Sequence, residues 1–412
     1  MIKILHLSDI HMGSGFTHGQ IDPETGQNTR LQDFVKTLSK CIDRAIGRDS
    51  EPVDLVLFSG DAFPDATPPP YVQEAFAEQF RRLADAKIPT VLVVGNHDQH
   101  SQGSGGASLC IYRTLAVPGF IVGDTINTHK IATTNGEIQV ITLPWLTNSI
   151  LFTNQKTEGL SLAEVNQLLI ENLEPVLESE IRKLDPEIPA VLVGHLMADR
   201  ATFGAEKLLA VGKGFTIPVS LLTRKELEYV ALGHVHKHQN LNPNNNPPIV
   251  YPGSIERVDF SEEKEDKGYV IVKVEKGRAN WQFCPLSVRA FRTIKIDVSQ
   301  QDDPHQAILD AIASHEIEDV VVRLIYKLRS EQLDLVEAAS IHQALSSAHS
   351  HTIRAELFSQ LTRPRLPEFN AGATLDPIEA LSAYLTTKDD LQDIAPEMIS
   401  AAKTLLGDSL LS

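Results

Sequence analysis

Cysteine is scarce in this chain. Cys41, Cys110 and Cys284 are the three in 412 residues, widely separated and in no CxxC pair, which leaves neither a disulfide framework nor a zinc ribbon to build on. Long apolar runs are missing too. The start "MIKILHLSDIH" is interrupted by His6 and Asp9 before the apolar stretch of a signal peptide could form, and no later run approaches a membrane span. Positive charge is in short supply: Lys and Arg number 37 against 54 Asp and Glu, a formal charge of −17. Most of such a surface repels a polyanion, so a polyanionic substrate would need a local basic track or the help of a partner. These absences point to a soluble, cytoplasmic protein, and 412 residues at 42% hydrophobic content are enough for two or three domains with full cores.

What the chain does have is alternation. "IKILHLSD", "VDLVLFSGD", "TVLVVGNHD", "IQVITLPW" and "AVLVGHL" read as strands buried on both faces. Between them, Leu31 to Ile46 and Tyr71 to Ala86 carry apolar residues at helical spacing, with Phe76, Phe80 and Leu83 on one face. The class is α/β. After Val230, "IVYPGS", "GYVIVKVEK" and "ANWQFCPL" read as successive antiparallel strands that complete the sheets of a first domain, residues 1–287. A small α/β unit is expected over 288–360, with strand "AFRTIKIDV", helix Pro304 to Ser314, strand "DVVVRLIYKL", helix Ser330 to Ser346 and strand "HTIRAELF". A linker rich in Pro, Gly and Ala over 361–376 leads to a helical segment, 377–412, with amphipathic stretches at Pro377 to Leu385 and Leu391 to Leu406. Such a tail either packs on its own domain or docks a partner.

The polar residues that carry chemistry sit just past the strands. Asp9 and His11 follow the first in "LSDIH", Asp61 the second in "FSGD", and Asn96, His97 and Asp98 the third in "VGNHD". His195 ends "LVGHL", and His234 and His236 close "ALGHVHKHQ" with an i, i+2 spacing that turns both rings to one side of a strand. Singly, each has a plain alternative: His195 as a core histidine, Asn96 as a turn residue, Asp61 as a helix N-cap. In series they fit one site at the carboxyl ends of the strands. Carboxylates, imidazoles and one amide oxygen, with no thiolate, suit Mn²⁺, Fe or Zn²⁺, and the donors are too many for a single ion.

The order D-x-H, G-D, G-N-H-D, G-H, G-H-x-H resembles that of the calcineurin-like metallophosphoesterases. The resemblance implies a two-layered β-sandwich flanked by helices, with two metal ions at the strand ends. It places Asp9, His11, Asp61 and His236 at one metal and Asp61, Asn96, His195 and His234 at the other, with Asp61 bridging. It also suggests His97 as general acid or transition-state stabiliser; Asp98 either orients the other ring nitrogen of His97 or has a structural role. Within that superfamily, "GDAFPDATPPP" lacks the arginine of the protein phosphatases. "YPGSIERVDFSEEKEDKGYVIVKV" resembles the block that follows the histidine pair in nuclease subunits of double-strand-break repair. For those relatives the implied properties are a Mn²⁺-dependent nuclease acting on DNA ends, single strands and hairpins, and a 288–360 cap that helps position DNA. A tail docked on a coiled-coil ATPase and a homodimer formed through helices such as Tyr71 to Ala86 and Leu109 to Leu115 are implied as well. Pro64 stands where some relatives carry a histidine that assists exonuclease work. The loop "SQGSGG", Lys237 and Arg257 are candidate DNA contacts by position, with a solvated surface as the alternative. A metallophosphoesterase of nucleotides or other small phosphoesters, and a degenerate module that binds without catalysis, are the other readings.

Overall fold

The computed structural model describes residues 1–48, 50–100, 106–147, 159–202, 215–358, 377–386, 391 and 394–408. Most of the loop "SQGSGG" and all of the linker 361–376 lie outside these. Contacts divide the chain into two compact units. One is Met1–Lys295 with Leu309–Ile325 and Ala338–Arg354; the other is Ile296–Ile308 with Tyr326–Glu337 and Ala355–Ser412. Among the described residues, no helix is long and apolar enough to cross a membrane.

The first unit is built on two six-stranded sheets. Their strands are β1 (Ile2–Leu7), β2 (Leu55–Phe58), β3 (Thr90–Val93), β4 (Phe120–Gly123), β5 (Asn127–Thr133), β6 (Gly136–Leu143), β7 (Ala190–His195), β10 (Tyr229–Gly233), β11 (Gln239–Asn240), β12 (Ile249–Tyr251), β13 (Gly268–Glu275) and β14 (Arg278–Pro285). The short strands β8 (Met197–Ala198) and β9 (Thr216–Ile217) pair with each other. One sheet runs β14-β13-β1-β2-β3-β4 and the other β11-β12-β10-β7-β6-β5. Strands β1 to β4 are mutually parallel, as are β6, β7, β10 and β12. Parallel strands covered on both faces explain the unbroken apolar runs of the sequence.

The two faces of each strand go to different cores. Ile4, Leu55, Leu57, Val91 and Val93 of the first sheet meet Val140, Val191, Val193 and Ala231 of the second in the middle of the sandwich. The opposite face of the first sheet, with Leu5, Leu7, Val56, Phe58 and Leu92, packs on helices α1 (Thr29–Ile46) and α2 (Pro70–Asp85). Helix α1 starts where the Asn28 side chain accepts from the Arg30 amide and stops at Gly47, φ 80°. In α2, Phe76 and Phe80 stack at 4.3 Å against Phe58. The outer face of the second sheet is covered by the helix Leu162–Arg182 through Leu169, Leu173 and Leu177, its start fixed by a Ser161/Glu164 capping box.

Two expectations need correction. "IVY" does not continue an antiparallel series: β12 lies parallel to β10 and antiparallel to β11, because the turn "NPNNNPP" separates it from β11, not from β10. Beyond it, β15 (Phe291–Asp297), β16 (Val321–Arg329) and β17 (Ser350–Phe358) form a three-stranded sheet in that order. Between β16 and β17 the single helix expected over Ser330 to Ser346 is instead a 3₁₀ turn, Ser330–Leu335, and a short helix, Ala338–Ala344. The Gln332 side chain explains the break: it bonds the Arg329 amide and the carbonyls of Val298 and Gln301, holding the turn to its own unit. The tail helices run Pro377–Thr386 and Ala395–Asp408.

Candidate metal centre

The turns after β1, β2, β3, β7 and β10 meet at one edge of the sandwich. Left-handed backbone recurs there: Asp9 has φ 50°, His11 φ 46°, Asp61 φ 59° and His234 φ 108°. Such conformations cost an L-residue roughly 1–3 kcal/mol each and persist where surrounding structure over-determines them. Here the backbone supplies the restraint. Asp9 N donates to Gly60 O (3.0 Å), His11 N to Asp61 O (3.1 Å) and Met12 N to Ala62 O (2.8 Å), lacing the first turn to the second. Two motif glycines are required by close approach. A Cβ on Gly60 would lie 2.4 Å from His195 Nδ1, and one on Gly95 would lie 2.1 Å from Asp61 Oδ1.

Among the described residues, three groups bring one potential ligand atom per residue within 4.8 Å of one another: Asp9, His11 and His236; His11, Asp61 and His97; and Asp61, His195 and His234. Asp61 Oδ2 stands 3.2 Å from His195 Nε2 and 3.6 Å from His11 Nε2, so its carboxylate faces both sides of the site. Asn96 Oδ1 lies 3.0 Å from His195 Nε2 and 2.9 Å from His234 Nδ1. His236 Nε2 lies 3.0 Å from His11 Nε2 and 3.9 Å from Asp9 Oδ1. Asp9 Oδ1 and Oδ2 also accept the His234 amide, both at 3.1 Å.

The rings are aimed by their other nitrogens. His195 Nδ1–H donates to Ser59 O at 2.7 Å, and His236 Nδ1–H donates to Glu262 Oε1 at 2.6 Å; both turn Nε2 into the site. Nitrogen and oxygen donors therefore converge at about hydrogen-bond distance. Such a donor set fits divalent cations. Burial pushes the Asp9 carboxyl up, whereas Asp61, equally buried, is held well below the usual carboxylate range by His195. Burial works against the charged form of His195, but the Asp61 carboxylate outweighs it and raises that imidazole to about 9.

His97 and Asp98 occupy different positions from one another. His97 points into the same edge, its ring 5.0 Å from that of His11, and its Nδ1–H donates to the Pro64 carbonyl at 2.7 Å. Asp98 is fully buried and accepts three backbone amides, from Asp61, Ala62 and Gly95, each at 2.9 Å. Pro64, not Asp98, orients His97; of the two roles open to Asp98, the geometry supports the structural one. Arg257 is likewise not a free phosphate contact, because its guanidinium donates to the carbonyls of Glu262, Arg289 and Glu265. Lys237 is exposed.

Sequence reasoning missed three contributors. Trp145 lies tilted over His234 at 4.9 Å; its place just after β6, at the same sheet end as the candidate ligands, was the available signal. Ser59 and Glu262 aim rings from 136 and 26 residues away, which no local pattern reveals.

Residues 2–238 match the family described as calcineurin-like phosphoesterase, and the chain belongs to that family. It is 27% identical over 288 residues to the SbcD component of the nuclease SbcCD of Staphylococcus epidermidis, covering 69% of this chain and 70% of that one. Among solved structures, one crystal structure has 16% identity and a TM-score of 0.36, covering 68% of this chain and 99% of that one. A protein of unknown function from Aquifex aeolicus has 12% identity and a TM-score of 0.21, covering 53% of this chain and 89% of its own. Likenesses of this size carry no argument.

Proposed function

We propose that the chain is a metal-dependent DNA nuclease, a double-strand exonuclease and single-strand or hairpin endonuclease, working as one subunit with an SbcC-type coiled-coil ATPase in DNA repair and recombination. The observation that carries the reading is the convergence of Asp9, His11, Asp61, Asn96, His195, His234 and His236 at one sandwich edge, in a chain similar to an SbcCD nuclease component. The family resemblance divides the donors: Asp9, His11, Asp61 and His236 hold one ion, and Asp61, Asn96, His195 and His234 the other. We take both as Mn²⁺.

When bound, two such ions supply an activated water and neutralise charge on the attacked and leaving oxygens. Asp61, whose Oδ2 lies near both His195 and His11, would contribute to both positions. His97, with Nδ1–H tied to Pro64 O, keeps Nε2 for the scissile phosphate; as an imidazolium, with a second proton on Nε2, it would stabilise the charge that develops or pass that proton to the leaving oxygen and be left neutral. Asp98 fixes the Asp61 and Gly95 turns. We assign 288–360 as the DNA-positioning cap and 377–412 as the ATPase-docking segment, and we place the chain as a homodimer within a heterotetramer. Tyr71, Ile111 and Leu115, 50%, 51% and 68% exposed on or beside α2 and the helix Cys110–Thr114, suit the dimer contact. The formal charge of −17 makes the ATPase and the ions the sources of phosphate affinity.

The test is cleavage of end-labelled duplex and hairpin DNA in Mn²⁺ by the full chain, alone and with its ATPase, beside Asp61→Asn, His97→Ala and a small chromogenic phosphodiester. DNA cleavage lost in both variants supports the reading. Turnover of the small ester alone, with DNA untouched even when the ATPase is present, would overturn it in favour of an enzyme of small phosphoesters.

A further inference from the structure

The segment after the histidine pair places a closed set of charges behind one edge of the metal centre. Glu262 and Lys267 are 3% and 1% exposed. Glu262 Oε1 accepts from His236 Nδ1 at 2.6 Å, and Oε2 lies 2.8 Å from Lys267 Nζ and 3.0 Å from the Val258 amide. Lys267 has three N–H donors and three acceptors: Glu262, Glu265 Oε2 at 2.9 Å and the His236 carbonyl at 3.2 Å. Arg257 bonds the carbonyls of Glu262 and Glu265, so the turn that carries the carboxylate is itself clamped. No atom of this set lies among the proposed ligands except those of His236.

We propose that Glu262, held by Lys267, is a positioning residue that fixes the Nδ1–H tautomer and the aim of His236 and thereby sets the affinity of one of the two ion positions. The inference rests on the reading of His236 as a ligand. A carboxylate on Nδ1–H pushes electron density toward Nε2, making it the better donor to a cation. Lys267 keeps that carboxylate charged in a buried place, where an unpaired one is costly. It does so without offering a proton to the ring, because its bonds go to Glu262 Oε2, Glu265 and the His236 backbone. The pair thus reads as a support for the ligand in addition to a brace for the turn.

The experiment measures binding, not turnover. Mn²⁺ is titrated into the full wild-type chain and into Glu262→Gln, Lys267→Met and His236→Ala, with free Mn²⁺ followed by electron paramagnetic resonance and folding checked by thermal unfolding. The expected result is two ions in the wild type and one lost in His236→Ala. Glu262→Gln and Lys267→Met should weaken one ion by about 10- to 100-fold and leave the other unchanged. A second measurement needs no folded variant at those positions. Histidine ¹⁵N spectra of the wild-type chain should show His236 protonated on Nδ1, the resonance identified by its loss in His236→Ala. Folded Glu262→Gln with a wild-type isotherm, or a His236 protonated on Nε2, overturns this proposal while leaving the metal centre standing. A wild-type chain that binds no ion, or a His236→Ala that still binds both, overturns the metal centre and this inference with it.

Discussion

Replacing Asp98 by asparagine separates the two roles this carboxylate could have. Its Oδ2 accepts the amides of Asp61 and Gly95 and its Oδ1 that of Ala62, all in a fully buried position. An asparagine keeps one oxygen for two amides and turns an NH₂ donor against the third. The third amide then stays buried and unpaired, at about 1–3 kcal/mol. Burial and the Asp61 charge already push the Asp98 carboxyl up to about 7, so Asp98→Asn should lose on the order of 1–3 kcal/mol near neutral pH, read as a lower denaturant midpoint by the fluorescence of Trp145, which lies over His234. Activity should fall as well, because the Asp61 turn loosens. If Asp98 instead served His97, the variant would unfold at the wild-type midpoint and show only an altered pH–rate profile. That result would refute the structural assignment.

Three further outcomes follow from the same geometry. Gly95→Ala brings a Cβ to 2.1 Å from Asp61 Oδ1 and 2.5 Å from its amide. Displacing the Asp61 carboxylate by even an ångström should cost on the order of 10²-fold in kcat/KM if it serves the proposed site, and near-normal cleavage kinetics would contradict that role. Phe76→Ala opens the Phe58, Phe76 and Phe80 cluster between α2 and the first sheet and should cost about 3–5 kcal/mol by denaturant unfolding; a loss under 1 kcal/mol would mean that the cluster can collapse. Excess chelator should lower the unfolding temperature of Mn²⁺-loaded protein. Ions held at a hundred times their Kd add about 2.7 kcal/mol per independent site, and an unmoved transition would speak against resident metal.

The strands were legible because parallel strands covered on both sides leave apolar runs with no polar interruption, as in "LVLF" and "VLVV". The candidate ligands that the structure brings together were legible for a related reason: each stands directly past such a run, so Asp61 and His195 need no knowledge of pairing to be suspected. What stayed hidden depends on partners far away in the chain. Asp98 looks like a functional acid in "GNHD", yet its bonds go to backbone amides 36 and 37 residues earlier as well as to Gly95. Arg257 looks like a phosphate contact beside the site, but each of its three guanidinium nitrogens already donates to a carbonyl. The helix Leu162–Arg182 has no place in the sequence reading, although Leu169, Leu173 and Leu177 recur every four residues and Pro175 is its one breaker.

The strained turns bear on whether metal builds the centre or merely fills it. Asp9, His11, Asp61 and His234 hold left-handed backbone in a structure whose restraints are all protein bonds: the lacing of the first turn to Gly60, Asp61 and Ala62, and the three amides on Asp98. None of these bonds uses the ring nitrogens or the Asp61 oxygen that would face an ion. These bonds predict turns that hold their shape without an ion, so that binding would offset electrostatic cost without also ordering loops. That cost is real, since Asp9 and Asp61 are buried together and the Asp9 carboxyl is pushed up, chiefly by burial, with the Asp61 charge adding to it. Hydrogen exchange distinguishes the cases. In chelator, the amides of Asp61, Ala62 and Gly95 should stay protected under native conditions while global stability falls. Free exchange at those three amides, recovered on adding Mn²⁺, would mean that the ions fold the site.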